Sequence, residues 1–120
     1  MKLTDSEWQV LLVLWKKEAM LLGEIVEELY IKTKWSRNTV HTYLTRMEKK
    51  GLVKIDREQE PHLYSYLISK EECTKSQRED LLNRVYQGSL SDLIAAFLKD
   101  SYISSVEKER LNKLLDEMEV

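Results

Sequence analysis

Trp35-Ser36-Arg37-Asn38-Thr39-Val40-His41-Thr42-Tyr43-Leu44-Thr45-Arg46-Met47-Glu48-Lys49-Lys50-Gly51 is the stretch that decides the fold. Val40, Tyr43, Leu44 and Met47 recur at three- and four-residue spacing, which puts them on one stripe of a helix. Ser36 stands before the stripe, where a hydroxyl accepts a free backbone N–H of the first turn. Gly51 follows Lys49 and Lys50, where a left-handed residue closes a helix. The other faces carry Arg37, Asn38, Thr39, His41, Thr42, Thr45, Arg46 and Lys49, with Glu48 as the one acid. Arginine grips guanine O6 and N7, asparagine pairs with adenine, and threonine bonds a base or touches a thymine methyl. Free N–H groups around Ser36, Arg37 and Asn38 suit a phosphate. Ordinary exposed helix faces mix glutamate with lysine, so this chemistry favours DNA over a merely solvated surface. The expected DNA-contact set is Ser36, Arg37, Asn38, Thr39, His41, Thr42, Arg46 and Lys49.

Upstream, Thr4-Asp5-Ser6-Glu7 has the spacing of a capping box and starts a helix expected to end near Lys17. Its apolar stripe is read as Trp8, Leu11, Leu12 and Trp15. Ile25, Val26, Leu29 and Tyr30 mark a second helix from about Leu22 to Ile31, acidic early and followed by Lys32 and Lys34, as the helix dipole prefers. Downstream of Gly51 the period changes. Leu52 to Arg57 and His62 to Ile68 alternate around the turn Glu58-Gln59-Glu60-Pro61, the pattern of a β-hairpin. Glu58 and Glu60 at its tip would repel phosphate. Ser69-Lys70-Glu71-Glu72 opens a long polar helix to about Tyr86, ended by Gly88. Two more helices start at Ser89 and Ser104. The first has the apolar stripe Leu90, Leu93, Ile94, Phe97 and Leu98; the second has Leu111, Leu114, Leu115 and Met118. The fold class expected is mostly α with a small β-hairpin wing: a winged helix-turn-helix domain over residues 1–69 and a helical dimerisation region over 70–120.

The 120 residues carry a net charge of −2, which conceals a pattern. Lys32, Lys34, Arg37, Arg46, Lys49, Lys50, Lys54 and Arg57 face only Glu48 and Asp56 between positions 32 and 57. A basic face matters for nucleic acid, not the average, although charge alone fits a solvated surface equally well. The single cysteine, Cys73, excludes an internal disulfide, and with His41 and His62 it supplies too few ligands for a structural zinc site. No cofactor and no metal are expected. No apolar run approaches the length of a membrane span and the first residues lack a signal-peptide pattern, so a cytoplasmic location without direct membrane insertion is expected.

Trp35-Ser36-x-x-Thr39-Val40-x-Thr42-x-Leu44-x-Arg46-Met47-x-x-Lys50-Gly51 resembles the penicillinase-repressor family. So do Thr4-x-x-Glu7-Trp8, Trp15, Tyr64-x-Tyr66 and Val85-Tyr86-x-Gly88, and the resemblance covers essentially the whole chain. It implies a homodimeric repressor of β-lactam resistance or related genes. The winged helices would bind a pseudo-palindromic double-stranded operator with half-sites like TACA/TGTA, and the C-terminal helices would pair. It assigns Asn38, Thr39 and Thr42 to bases and Arg46 to a backbone or base contact. Family repressors are inactivated by proteolysis under a membrane metalloprotease sensor, at a bond before a phenylalanine in the first dimer helix. That bond corresponds to Ala96–Phe97, where the family commonly has asparagine in the first position. The cysteine cluster of the copper-responsive branch is absent from the C-terminal stretch.

An enzyme is not expected: no serine–histidine–carboxylate spacing, phosphate-binding glycine loop or HExxH helix is present. A winged-helix module for protein partners would carry an acidic or apolar third helix. The alternative left open is a winged-helix repressor of another regulon, controlled by a ligand or a partner protein.

Overall fold

The computed structural model describes residues 2–118. In chain order the elements are α1 (Asp5–Leu14), β1 (Met20–Leu21), α2 (Leu22–Thr33), α3 (Arg37–Lys49), β2 (Val53–Asp56), β3 (Leu63–Tyr66), α4 (Lys70–Val85), α5 (Leu90–Asp100) and α6 (Ser105–Glu117). The chain is therefore mostly helical with a small sheet, as the sequence pattern anticipates. The sheet is not a hairpin alone. Its strand order is β1-β3-β2, with Met20 opposite Tyr64 and Leu21 opposite Leu63 on one side of β3, and Val53 opposite Tyr66 and Ile55 opposite Tyr64 on the other. Two residues are too few to show alternation, so β1 leaves no periodic signal in the sequence.

The chain divides into two compact units, Met1–Gln77 and Arg78–Val120. The division falls within α4. The boundary expected from sequence lies at the start of that helix.

The first unit is built around one apolar core. Val10, Leu11 and Leu14 from α1, Ile25 and Leu29 from α2, and Val40, Leu44 and Met47 from α3 are buried together with Leu52, Val53 and Tyr64. Each buried aliphatic side chain contributes roughly 1.5–3 kcal/mol relative to exposure. The stripe expected for α1 is displaced: Leu11 is buried, Trp8 and Trp15 are half-buried, and Leu12 is 41% exposed. Val10, Val13 and Leu14 take the inward positions instead. The indoles meet edge-on at 5.8 Å, and the Trp15 Nε1–H donates to the Ile68 carbonyl at 3.0 Å, tying α1 to the chain just past β3. The helix closes at Leu14, short of Lys17, because its last turn tightens: Lys16 N–H donates to Val13 O and Lys17 N–H to Leu14 O.

The Thr4–Glu7 capping box forms as the spacing requires, with Glu7 N–H to Thr4 Oγ1 at 3.2 Å and Thr4 N–H to Glu7 Oε1 at 2.9 Å. At the start of α4 the Glu72 N–H donates to the Ser69 hydroxyl, which in turn donates to the Glu72 carboxylate.

In the second unit, α5 and α6 contain no buried residue. Leu90, Ile94, Phe97 and Leu98 on α5, Leu111, Leu114 and Leu115 on α6 and Met118 just past it are exposed, and Leu93 is half-buried. Ile94, Leu98, Ile103, Leu111 and Leu115 line a groove between the two helices. Among the described residues, no helix is long and apolar enough to cross a membrane.

Candidate nucleic-acid interface

The third helix is fixed at both ends by its own sequence. Ser36 Oγ accepts the Thr39 N–H at 3.2 Å, the N-cap bond expected of it. At the other end Gly51 has φ +79°. Gly51 N–H donates to Glu48 O and Leu52 N–H to Met47 O, the paired bonds of a Schellman closure. Before α3, Lys34 adopts φ 59°, and its N–H donates to Tyr30 O, so the chain leaves α2 in a tight left-handed turn. α3 packs on both α1 and α2, the arrangement of a helix-turn-helix with α3 as its second helix.

Val40, Leu44 and Met47 anchor α3 inward, with Tyr43 half-buried against Trp35 at 4.8 Å. At about 100° per residue, Asn38, Thr42, Thr45 and Lys49 run down the opposite side, flanked by His41 and Arg46. Arg37, Asn38, His41, Thr42, Arg46 and Lys49 are exposed. Of the expected set, Asn38, His41, Thr42, Arg46 and Lys49 share the outward side. Ser36 and Thr39 stand at the N-terminal end, where the Ser36 hydroxyl serves the cap and lies 3.1 Å from the Thr39 hydroxyl. Arg37 turns toward the start of α2, near Gly23.

Thr45 belongs to the outward row but falls outside the contact set read from sequence; its i+3 and i+4 spacing from Thr42 and His41 is the signal that identifies it. The Thr42 hydroxyl donates to Asn38 O at 2.9 Å. Its proton is thereby used, which leaves the oxygen as an acceptor for a base amino group and the methyl for a thymine.

Two of the eight bases between positions 32 and 57 are committed to internal pairs. Lys50 Nζ sits 2.6 Å from Glu7 Oε2, and Glu7 is only 5% exposed. Burial pushes the Glu7 carboxyl up, but the bonds from Lys50 and the Thr4 N–H outweigh it and hold the group below the usual glutamate value. Arg57, just past β2, grips Glu48 of α3 with both nitrogens, at 2.6 and 2.9 Å. That bond and the attendant charge pull the Glu48 carboxyl down and push the guanidinium up. The acid that interrupts the basic face is thus covered by a wing arginine. Lys32, Lys34, Arg37, Arg46, Lys49 and Lys54 have no acid within salt-bridge distance among the described residues. At the wing tip, Glu58 and Glu60 are exposed, and Glu60 lies 3.5 Å from His62.

An exposed, hydrogen-bonding helix face poor in unpaired acid, held as the second helix of a helix-turn-helix beside a small antiparallel sheet, defines a winged-helix DNA-binding regulator. The family model described as "Penicillinase repressor" matches residues 3–117, and the chain belongs to that family. It is a DNA-binding transcriptional repressor and not an enzyme. Among its relatives is "Methicillin resistance regulatory protein MecI" of Staphylococcus aureus strain N315, 28% identical over 117 residues, 96% of this chain and 94% of that protein. Another is the "Penicillinase repressor" of Bacillus licheniformis, 29% identical over 116 residues, 97% of this chain and 91% of that protein. The fold is shared with a solved structure of the transcriptional regulator PA4135, at TM-score 0.50 and 20% identity, covering 98% of this chain and 80% of that one.

Proposed function

We propose that the chain works in the cytoplasm as a homodimeric repressor of β-lactam-resistance genes. Each copy lays α3 in the major groove of one half of a pseudo-palindromic operator. Asn38, Thr42 and Thr45 meet base edges. Arg46 meets a base or the backbone. Arg37 in the first turn of α3 and Lys49 at its C-terminal end meet phosphates.

The observation that carries the dimer is the absence of any buried residue in α5 and α6. Eight apolar side chains at helical spacing on these two helices, with Met118 just past α6, make an apolar surface of the kind that marks a protein–protein interface. A second copy offers the same stripes, and a two-fold interface needs only one self-complementary surface. Sedimentation tests this: the full chain runs as a dimer, and a chain ending at Tyr86 runs as a folded monomer. A dimeric truncation would move the interface elsewhere.

Relief of repression is assigned to cleavage at Ala96–Phe97 by a membrane metalloprotease sensor. This bond lies inside α5, between a half-buried and an exposed residue. Cutting it divides the α5 stripe and separates α6 from the DNA-binding unit. Two half-site contacts that had been joined at high effective concentration then act singly, and occupancy collapses with α3 intact. Intact-mass measurement after β-lactam induction is the check. A fragment ending at Ala96 appears with derepression; derepression with the chain whole contradicts the assignment and favours a ligand or partner signal.

A further inference from the structure

Apart from α3, the first unit holds a cleft of about 400 Å³ between α1 and α2, lined also by Lys70. That volume lies within the roughly 300–1,000 Å³ of small-molecule sites. Leu12, Val13, Trp15 and Leu29 form its apolar surface. Leu12 is one of the side chains that departs from the expected burial of α1, and it stays 41% exposed there. Lys16, Lys32 and Lys70 stand around the cleft against a single acid, Glu28. Lys16 is bound to that acid at 2.9 Å, which leaves the ammonium groups of Lys32 and Lys70 without a counter-charge among the described residues.

The geometry points to an effector site for a small organic carboxylate with an aromatic or branched apolar body, seated between α1 and α2. The body covers Leu12 and Trp15, and the carboxylate lies between Lys32 and Lys70. Neither a neutral ring nor a bare inorganic anion satisfies both halves of the cleft. Occupancy bears on DNA because α1 and α2 are the two helices that carry α3. α2 runs straight into α3 through the left-handed Lys34, leaving little slack to absorb a shift. A ligand that prefers one spacing of α1 and α2 changes operator affinity by its preference, and the operator changes ligand affinity by the same factor.

The test uses the full chain without DNA, so its outcome is independent of operator reading. Isotope-labelled protein is titrated with sodium 1-naphthoate and, separately, with 1-naphthalenemethanol, which has the same ring and no charge. The three indole N–H signals are assigned by single Trp→Phe substitutions. Naphthoate moves the Trp15 signal saturably and by more than that of Trp35, which packs on Tyr43 and does not line the cleft. The alcohol binds at least fivefold more weakly. The double variant Lys32→Gln, Lys70→Gln, altered only at exposed positions, loses at least fivefold in naphthoate affinity and none for the alcohol. Equal affinity for the two probes, an unchanged double variant, or shifts confined to signals other than Trp15 would each overturn the site.

Discussion

Replacing Glu7 by alanine removes a buried acid that joins the start of α1 to the end of α3. Glu7 is 5% exposed, accepts the Thr4 N–H at 2.9 Å and takes the Lys50 ammonium at 2.6 Å. Loss of the reciprocal cap is worth about 1 kcal/mol. A charge-assisted hydrogen bond contributes about 1.5–3 kcal/mol, but Lys50 is more than half exposed and returns to water, so about 1 kcal/mol of that is lost. The expected destabilisation is therefore about 2 kcal/mol, or roughly 8–16 °C in Tm for a domain of this size. The sign with pH follows from the depressed carboxyl. Its contribution is complete above the ordinary value of 4.5 and disappears as pH falls through the lower folded value. Urea unfolding of both proteins, at one protein concentration because self-association would couple to stability, measures the gap at pH 7 and again in acid. The gap should be about 2 kcal/mol at pH 7 and narrow below about pH 4. A gap under about 0.5 kcal/mol at pH 7, or one that acid leaves unchanged, would refute the clamp.

Asn38→Ala and Thr42→Ala should each weaken operator binding by about 1–3 kcal/mol while leaving random-sequence binding nearly unchanged, as read by gel shift. Lys49→Ala should weaken both probes alike and flatten the salt slope by about one unit, because a phosphate contact carries no sequence information. Glu48→Gln frees the Arg57 guanidinium from its bidentate partner beside a basic face; binding to random duplex should rise and steepen with salt, and an unchanged salt slope would show that Arg57 lies out of reach of the backbone.

The third helix was legible because everything that fixes it is local. Ser36 caps, Gly51 closes and Val40, Leu44 and Met47 repeat at the helical period, so the outward row follows by rotation. The stripes of α5 and α6 were legible for the same reason. What escaped depends on contacts far apart in sequence. Lys50 reads as one more base for DNA, yet its partner lies 43 positions away at Glu7. Glu48 reads as a blemish on the basic face, and only the placement of Arg57 past β2 reveals that it is covered. Leu12 reads as core because it fits the α1 period, but packing selects Val13 and Leu14 in its place. β1 is too short to carry a pattern, and its pairing with β3 is decided by the hairpin that follows it.

The central claim is that α3 reads a two-fold operator as part of a dimer. The most direct test is competition between a duplex carrying TACA/TGTA half-sites, their centres about one helical turn or ~10 bp apart, and a scrambled duplex of the same composition at one salt concentration. The full chain should prefer the palindrome by about a thousandfold or more. Equal affinity for the two duplexes would contradict it.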